Sequence, residues 1–269
     1  MQTEKKEKIK RTVREAYGKI ARSETSGCLP GSDTSCCGTS DFDPEKVSSY
    51  LGYSVEDMDS VPEGANLGLG CGNPVAIASI KEGETVVDLG SGGGFDCFLA
   101  ARQVGDAGLV IGVDMTSDMI SKARKNAESI TAANVEFRLG EIEHLPIADG
   151  TADIVISNCV INLSPDKDSV YREAFRVLKP GGRLSISDIV TTRPLPEEIQ
   201  ENLMLVSACV GGAATVEETD KDLRKAGFTD ISISNKKVDE EAVRDLASAG
   251  VSDALDYVIS ATIEAVKPE

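Results

Sequence analysis

Residues 84–104 read ETVVDLGSGGGFDCFLAARQV, and this stretch decides the fold. The apolar run at 84–89 predicts a strand, and residues 95–104 predict a helix. The glycine-rich loop at 90–94 ends the strand and opens the helix, which is the context of a nucleotide-binding loop. Glycine allows a tight turn and close approach of the backbone to a ligand, and a helix N-terminus favours a negative group.

The alternation of strands and helices continues after this stretch. We predict further strands at 109–113, 135–139, 152–157 and 183–188, with helices at 117–130 and 168–178 and a turn at Lys179-Pro180-Gly181-Gly182 after the second helix. Strands that alternate with helices of this length indicate an α/β fold with a mostly parallel sheet and helices on both faces. Beyond Pro194 we predict helices at 197–210 and 217–226 and strands at 231–234 and 257–266. Apolar residues at helical spacing between Ile9 and Ile20 predict an amphipathic N-terminal helix.

Composition excludes several classes of protein. The chain has 269 residues and a net charge of −17, which would repel a phosphate backbone, so we expect no nucleic-acid partner. No apolar stretch approaches the roughly 18 residues that span a bilayer, and residues 1–20 lack the apolar segment of a secretory signal, so we expect no membrane association. Seven cysteines without an export signal indicate thiols kept for chemistry in a reducing compartment, and we expect a cytoplasmic location.

Two acidic residues, Asp88 and Asp114, bear on which nucleotide cofactor binds. Asp114 ends the second strand, where a carboxylate can bind both hydroxyls of a ribose, as NAD and S-adenosylmethionine both require. The loop spacing is Gly-x-Gly-x-Gly rather than Gly-x-Gly-x-x-Gly, which weakens the dinucleotide interpretation. Asp88 is poorly placed beside a pyrophosphate but well placed to orient the amino-acid part of S-adenosylmethionine, so the methyl donor is favoured.

The loop after the third strand offers contacts to the adenine ring. Ile142 would provide an apolar contact and Glu141 would approach the exocyclic amine, although a plain loop is the alternative. The cofactor-binding residues that we predict are Asp88, Gly90, Ser91, Gly92, Asp114, Met115, Glu141, Ile142 and Asn158. This set resembles the class I S-adenosylmethionine-dependent methyltransferases, which implies a seven-stranded Rossmann-like sheet closed by an antiparallel last strand, here 257–266.

Five short segments carry a closer resemblance. They are Leu69-Gly70-Cys71-Gly72, Asp96-Cys97, Ser157-Asn158-Cys159, Pro165-Asp166-Lys167 and Ala208-Cys209-Val210-Gly211-Gly212-Ala213. Together they resemble the arsenite S-adenosylmethionine methyltransferase family, from about Tyr17 to about Phe228. The resemblance implies an enzyme that moves methyl groups onto trivalent arsenic and gives mono- and dimethylated arsenicals in arsenic detoxification.

The chemistry of thiols and arsenic supports this resemblance independently of the sequence motifs. Trivalent arsenic is soft and prefers thiolates, and three thiolates that replace its hydroxyls leave a lone pair to attack a methyl carbon. We predict Cys159 and Cys209 as central arsenic ligands and Cys71 as the third, so that their sulfurs must converge beside the glycine loop. The alternative for each is a buried cysteine that packs as a small apolar side chain, which is the expectation for Cys97.

The resemblance also implies roles for the N-terminal cysteines and for a reductant. Cys28 would exchange disulfides with the ligand thiols as arsenic is oxidised and reduced, and Cys36-Cys37 would share or replace that role or load arsenic. A thiol co-substrate of the thioredoxin or glutathione type is implied. Family members often carry aromatic residues just before the Cys71 position, whereas this chain has Leu67-Gly68-Leu69.

Other functions are compatible with parts of the sequence. A C- or O-methyltransferase for a small molecule would need the cofactor loop without the thiols, and a non-catalytic thiol protein that binds metalloids would need the thiols without the loop. Zinc is disfavoured because no C-x-x-C pair occurs and His144 is the only histidine, although a site built from distant cysteines stays open. We predict an N-terminal helix and cysteine-bearing loops that cover the site at 1–75, an S-adenosylmethionine-binding core at 76–192, and substrate-binding helices with the closing strands of the sheet at 193–269.

Overall fold

A single twisted sheet forms the centre of the molecule. The computed structural model describes residues 2–22, 43–207, 209–236 and 257–269; Cys28, Cys36 and Cys37 lie outside these residues. The strands of the described residues are β1 (Thr85–Leu89), β2 (Leu109–Asp114), β3 (Val135–Leu139), β4 (Ala152–Asn158), β5 (Leu178–Thr191), β6 (Thr229–Lys236) and β7 (Val258–Val266). Their order is β3-β2-β1-β4-β5-β7-β6, and β7 pairs antiparallel with both β5 and β6. The predicted α/β class and the antiparallel closing strand are confirmed.

Helices cover both faces of this sheet. They are α1 (Gln2–Arg22), α2 (Pro44–Tyr50), α3 (Val55–Asp59), α4 (Pro74–Ile77), α5 (Phe95–Val104), α6 (Ser117–Ser129), α7 (Lys167–Val177), α8 (Glu197–Glu201), α9 (Leu203–Ser207) and α10 (Val216–Ala226). One 3₁₀ turn, Ile161–Leu163, follows β4. In the described part of the chain, no helix combines the length and the apolar composition that a membrane span needs.

The apolar runs of the central strands become the core. Val86 and Val87 of β1 are fully buried on opposite faces of the sheet, in two separate apolar clusters. A strand covered on both faces needs apolar residues at successive positions, which is why β1 and β4 read as near-continuous apolar runs. The chain leaves β1 towards β2 on one side and returns to β4 on the other. A crevice therefore opens at the carboxyl ends of β1 and β4.

The prediction of one helix over 197–210 is wrong. The segment is broken at Asn202, where the backbone is extended with ψ of 103°, and α9 ends at Ser207. Cys209 then lies in a turn with φ of +63°. The turn brings Gly212 so close to the carbonyl group of Asn162 that a Cβ atom there would collide with it. The glycine pair after Cys209 permits this close approach, whereas no glycine or proline between 197 and 207 marks the break at Asn202.

A second difference concerns the Lys179-Pro180-Gly181-Gly182 turn. In the structure it lies inside β5, which begins at Leu178 and pairs there with Ala152 of β4. Pairing then resumes between Arg183 and Ile154, so the intervening residues of β5 bulge out of the ladder. The predicted turn is therefore present as an irregularity within a longer strand, because the backbone on both sides of it finds a partner in β4.

Candidate active site

The glycine loop lies at the carboxyl ends of the parallel strands, between β1 and α5. Gly90 and Gly94 have φ of +74° and +95°, in the left-handed region that other residues rarely adopt. A Cβ atom at Gly90 would also collide with the side chain of Val160. The loop therefore depends on glycine both for its conformation and for its close packing, as the sequence pattern predicts.

A buried carboxyl group lies at the start of this loop. Asp88 is only 3% exposed and borders the cavity next to the glycines. Its burial and the nearby charge of Asp96 raise the pKa of Asp88 to about 8. Cys97 donates a hydrogen bond from its thiol to Asp88 Oδ2 over 3.2 Å, and the predicted burial of Cys97 is confirmed. An acidic group in such a place suits a cationic part of a ligand, such as the amino group of an amino acid.

Two backbone N–H groups fix the carboxylate of Asp114 at the end of β2. Gly92 N donates to Oδ2 over 3.0 Å and Thr116 N donates to Oδ1 over 2.7 Å. Each oxygen of an ionised carboxylate has a further lone pair, so both can still accept a hydrogen bond. This arrangement suits the two neighbouring hydroxyls of a ribose, and the ribose assignment stays a prediction.

The cavity brings together most of the predicted cofactor residues. Its lining includes Asp88, Gly90, Ser91, Gly92, Asp114, Met115, Ile142 and Asn158. Glu141 is not part of this lining, because its carboxylate pairs with Lys10 Nζ at 2.7 Å and with Arg14 at 3.3 Å. The partner helix is distant in sequence, so the loop alone does not reveal this pairing. Glu143 borders the cavity instead, two residues further along the chain.

Sequence reasoning missed a polar network that joins the cofactor loop to Cys71. Tyr53 donates its hydroxyl hydrogen to Asp96 Oδ1 over 2.6 Å, and Asn158 Nδ2 donates to Asp96 Oδ2 over 3.0 Å. Asn158 Oδ1 in turn accepts the backbone N–H of Cys71 over 2.8 Å. Burial raises the pKa of Asp96 to about 6, although Tyr53 and Asn158 oppose the shift. Asn158 thus connects the cavity to a predicted arsenic ligand.

The three predicted arsenic ligands lie together behind the same cavity. Cys71 and Cys159 are joined by a disulfide, with their Cα atoms 5.3 Å apart. The thiol of Cys209 donates a hydrogen bond to the backbone carbonyl of Cys159 over 2.7 Å. All three belong to one apolar cluster that also contains Val13 and Leu163. Positions 71, 159 and 209 are therefore neighbours in the fold, and Cys159 borders the cavity directly.

The charges around these cysteines act on their ionisation. Burial and the charge of Asp188 raise the pKa of the Cys209 thiol, while Tyr17 and Lys167 act in the opposite direction. Asp188 is itself buried at the end of β5, and burial raises its pKa to about 6 despite three hydrogen bonds from N–H groups. Loading a thiophilic ligand here must remove protons from thiols that ionise reluctantly.

Helix α1 covers the mouth of the cavity. Lys10, Val13 and Tyr17 belong to the cavity lining, and Lys10 is held between Glu141 at 2.7 Å and Glu143 at 3.4 Å. Tyr17 packs against both the cysteine cluster and the apolar group around Leu67. The apolar face that predicts this helix is therefore buried on the site itself.

Comparisons with known proteins agree with a methyltransferase fold. Residues 80–262 match the model of a methyltransferase domain family. An arsenite methyltransferase of Halobacterium salinarum is 49% identical over 97% of this chain and 67% of its own length, and one of Aquipseudomonas alcaligenes is 40% identical over 81% and 62%. This chain thus spans about two thirds of the length of these relatives.

A solved structure agrees with these sequence relatives. The crystal structure of the arsenic(III) S-adenosylmethionine methyltransferase of Chlamydomonas reinhardtii is 34% identical, with a TM-score of 0.61 over 83% of this chain and 73% of that one. A phosphoethanolamine N-methyltransferase of Haemonchus contortus, at 22% identity and a TM-score of 0.63, shows the shared fold alone. With its seven-stranded sheet, glycine loop and clustered cysteines, the chain belongs to the arsenite methyltransferase family, as the sequence motifs predict.

Proposed function

We propose that this chain transfers methyl groups from S-adenosylmethionine to trivalent arsenic held by the thiolates of Cys71, Cys159 and Cys209. The single observation that carries the proposal is the meeting of these cysteines, which are up to 138 positions apart in sequence, behind a cavity lined by the glycine loop, Asp88 and Asp114. A passive thiol protein would not need that cavity, and an ordinary methyltransferase would not need those thiols. Mono- and dimethylated arsenicals are the proposed products.

The residues around the cavity fit the methyl donor. The glycine loop gives the backbone close access, Asp88 suits a cationic amino group, and Asp114 keeps two acceptor sites for the ribose. S-adenosylmethionine supplies an electrophilic methyl carbon on a sulfonium sulfur, which the lone pair of arsenic can take. Asn158, between the cavity and Cys71, positions the donor site relative to the thiols.

The thiols perform the part of the chemistry that belongs to this chain. The Cys71–Cys159 disulfide must first be reduced by a thiol reductant, which is itself oxidised to a disulfide. Arsenite then exchanges three hydroxyls for three thiolates, and each exchange releases one water that contains the thiol proton. Transfer of the methyl carbon releases S-adenosylhomocysteine and makes the arsenic pentavalent and cationic. Two thiolates then leave as a disulfide, which returns an electron pair to arsenic, and a water takes the open position and loses a proton.

A cysteine pair oxidised in this way matches the state of Cys71 and Cys159 described above. By resemblance we propose that Cys28 exchanges disulfides with them and that a reductant of the thioredoxin or glutathione type regenerates the thiols. Such chemistry needs positioning rather than acid–base groups, because holding two reactants at near-attack distance can contribute several kcal/mol. The need for reduced thiols also supports a cytoplasmic location as a proposal.

The decisive experiment separates arsenic binding from donor binding. Wild-type protein, Cys159→Ser and Cys209→Ser are incubated with arsenite, S-adenosylmethionine and glutathione, and the arsenic species are separated and quantified. We expect wild-type protein to form methylated arsenicals and both variants to lose at least about 100-fold in rate, because each loses one of the sulfurs that fix arsenic in place. Calorimetry with S-adenosylmethionine is the control and should give similar affinities for all three proteins.

Each alternative function has its own signature in this experiment. Recovery of only inorganic arsenic from wild-type protein under several reducing conditions would refute the proposal. Retained turnover by both variants on a substrate without arsenic would identify a C- or O-methyltransferase. No saturable heat with S-adenosylmethionine would identify a passive metalloid-binding protein.

A further inference from the structure

Asp188 is a buried carboxylate beside the cysteines that the proposed function has not yet used. It lies near the end of β5 and is 2% exposed. One of its carboxylate oxygens and the sulfur atoms of Cys71 and Cys159 all lie within 4.8 Å of one another. Burying a carboxylate costs free energy, so the position of Asp188 beside two predicted ligands indicates a role in the site.

The hydrogen bonds of Asp188 leave one acceptor site free among the described residues. Asn162 Nδ2 and Ile189 N each donate to Oδ1 over 2.8 Å, and Ile161 N donates to Oδ2 over 3.1 Å. An ionised carboxylate offers about four acceptor sites, two on each oxygen. The described donors thus saturate Oδ1 and leave one lone pair on Oδ2.

The donor groups also hold this carboxylate in place. Asn162 and Ile161 belong to the 3₁₀ turn that begins just after Cys159, while Ile189 follows Asp188 in β5. Cys159 N donates to Ser187 O over 2.8 Å, so the same strand also anchors the ligand residue. The carboxylate and the sulfur of Cys159 are therefore attached to the same two backbone segments, and their relative position is fixed.

We propose that Asp188 accepts a hydrogen bond from the hydroxyl group that arsenic keeps after Cys71 and Cys159 have displaced its other two. This inference rests on the proposed function and adds a recognition residue to it. Arsenite and two thiols give a dithiolate with one As–OH group and two waters. The Cys209 thiol then displaces the last hydroxyl, which leaves as water with the thiol proton. Asp188 orients the arsenic between these two steps.

The proposal makes Asp188 selective for the form of arsenic. Methylarsonous acid has two hydroxyls, and both are lost when two thiolates bind it. Its remaining substituent is a methyl group, which cannot donate a hydrogen bond of this kind. Asp188 therefore assists the binding of arsenite, which precedes the first methylation, but not the binding of the methylated substrate that precedes the second.

The test uses the Cys209→Ala protein, in which arsenic held by two sulfurs keeps its third substituent. Equilibrium dialysis of the reduced protein gives its dissociation constants for arsenite and for methylarsonous acid, with and without Asp188→Ala. We expect Asp188→Ala to weaken arsenite binding about tenfold or more and to leave methylarsonous acid binding within about twofold, because only arsenite loses a hydrogen bond to a charged acceptor. Asp188→Asn, which keeps an uncharged acceptor, should weaken arsenite binding by less than Asp188→Ala does.

Asn162→Ala is the matched control for a purely structural effect. It removes one hydrogen bond from the same buried carboxylate without touching the free lone pair on Oδ2, so both arsenicals should be affected equally. Equal losses for both arsenicals in Asp188→Ala would overturn the inference. If the Cys209→Ala protein binds neither arsenical through sulfur, the proposed function itself fails, which is a distinguishable result.

A second measurement leaves Asp188 in place in case its variants do not fold. Infrared difference spectra of the Cys209→Ala protein, with aspartate labelled by ¹³C, report carboxylate bands before and after loading. We expect arsenite to shift a buried carboxylate band and methylarsonous acid to leave it unchanged. A shift with both arsenicals, or with neither, would contradict the assignment.

Discussion

At the scale of single residues, the two central cysteines share an uncommon backbone conformation. Cys159 and Cys209 have φ of +57° and +63°, a left-handed conformation that costs a residue with a Cβ atom roughly 1–2 kcal/mol. Such costs persist where the surrounding structure imposes them, and they concentrate at functional sites. Both residues follow regular elements, β4 and α9, so each thiol is presented at the point where the chain turns.

The buried carboxyl group of Asp88 should make the stability of the free protein depend on pH. Its folded pKa of about 8 lies above the ordinary value of 3.8, so its contribution to stability is complete below about pH 4 and is lost as the pH rises through 8. We expect the free energy of unfolding to fall between pH 5 and 8, with a slope that Asp88→Asn reduces by up to about 1 kcal/mol per pH unit. Urea unfolding at several pH values measures this slope.

Asp220→Asn is the control for this experiment. The hydrogen bond from Arg224 lowers the pKa of Asp220, so this group stays ionised in both states above pH 5 and its loss should not change the slope. An unchanged slope in Asp88→Asn would show that the Asp88 carboxyl does not hold its proton in the folded protein at neutral pH.

At the scale of elements, α1 is the part of the fold that closes the site. Its ion pairs reach Asp118, Glu141, Glu143, Asp166 and Glu201, which lie on several different segments. The sequence predicts the amphipathic character of this helix, because a 3.6-residue period is a local property. It does not predict which surface receives the helix, since that depends on charges and apolar groups distant in the sequence, from Leu67 to Glu201.

We expect α1 to slow the release of the methyl donor through Lys10. The Lys10 side chain is 12% exposed and that of Glu143 is 6% exposed, so replacing Lys10 leaves a buried carboxylate with the hydrogen bond from Ser164 but without its cationic partner. Lys10→Met should loosen the helix and speed dissociation of S-adenosylmethionine about fivefold, measured by stopped-flow displacement. Lys5→Met, which breaks the exposed pair with Glu201, should change the rate little. Equal rates for Lys10→Met and wild-type protein would mean that α1 does not gate the cavity.

The central strands and the single long helix over 197–210 show which elements the sequence can predict. β1 and β4 are near-continuous apolar runs because helices cover both faces of the sheet, and such runs can be recognised in the sequence. The break at Asn202 has a different origin, because the chain turns there to bring Cys209 against Cys159 and Gly212 against Asn162. Helix propensity along the segment does not report that tertiary requirement.

At the scale of the whole molecule, the sequence predicts which residues matter better than where they meet. The glycine loop, Asp88 and Asp114 follow from their positions at strand ends, because parallel strands end at one edge of a sheet. Tyr53, Asp96 and Asp188 are missed, because their importance comes from partners on other elements. Such contacts become visible only when the sheet order and the path of α1 are known.

Because residues from three distant segments form the thiol site, its occupancy should change the stability of the whole molecule. The Cys71–Cys159 disulfide closes a loop of 88 positions, which stabilises a folded protein by about 4.6 kcal/mol in the chain-entropy model. Reduction with a phosphine should therefore lower the melting temperature by roughly 10–15 °C. Arsenite added to the reduced protein should raise it again, because three As–S bonds restore that loop closure and add Cys209 to it.

Calorimetric scans of oxidised, reduced and arsenite-loaded protein test this expectation, and Cys71→Ser is the control. Without the Cys71 sulfur, reduction should leave the melting temperature unchanged, and arsenite should raise it less than in wild-type protein because only two sulfurs remain. If arsenite leaves the reduced wild-type protein unchanged, the sulfurs of Cys71, Cys159 and Cys209 do not bind one arsenic together. If it raises wild-type and Cys71→Ser equally, Cys71 is not the third ligand, and the loop closure would have to come from Cys159 and Cys209 alone.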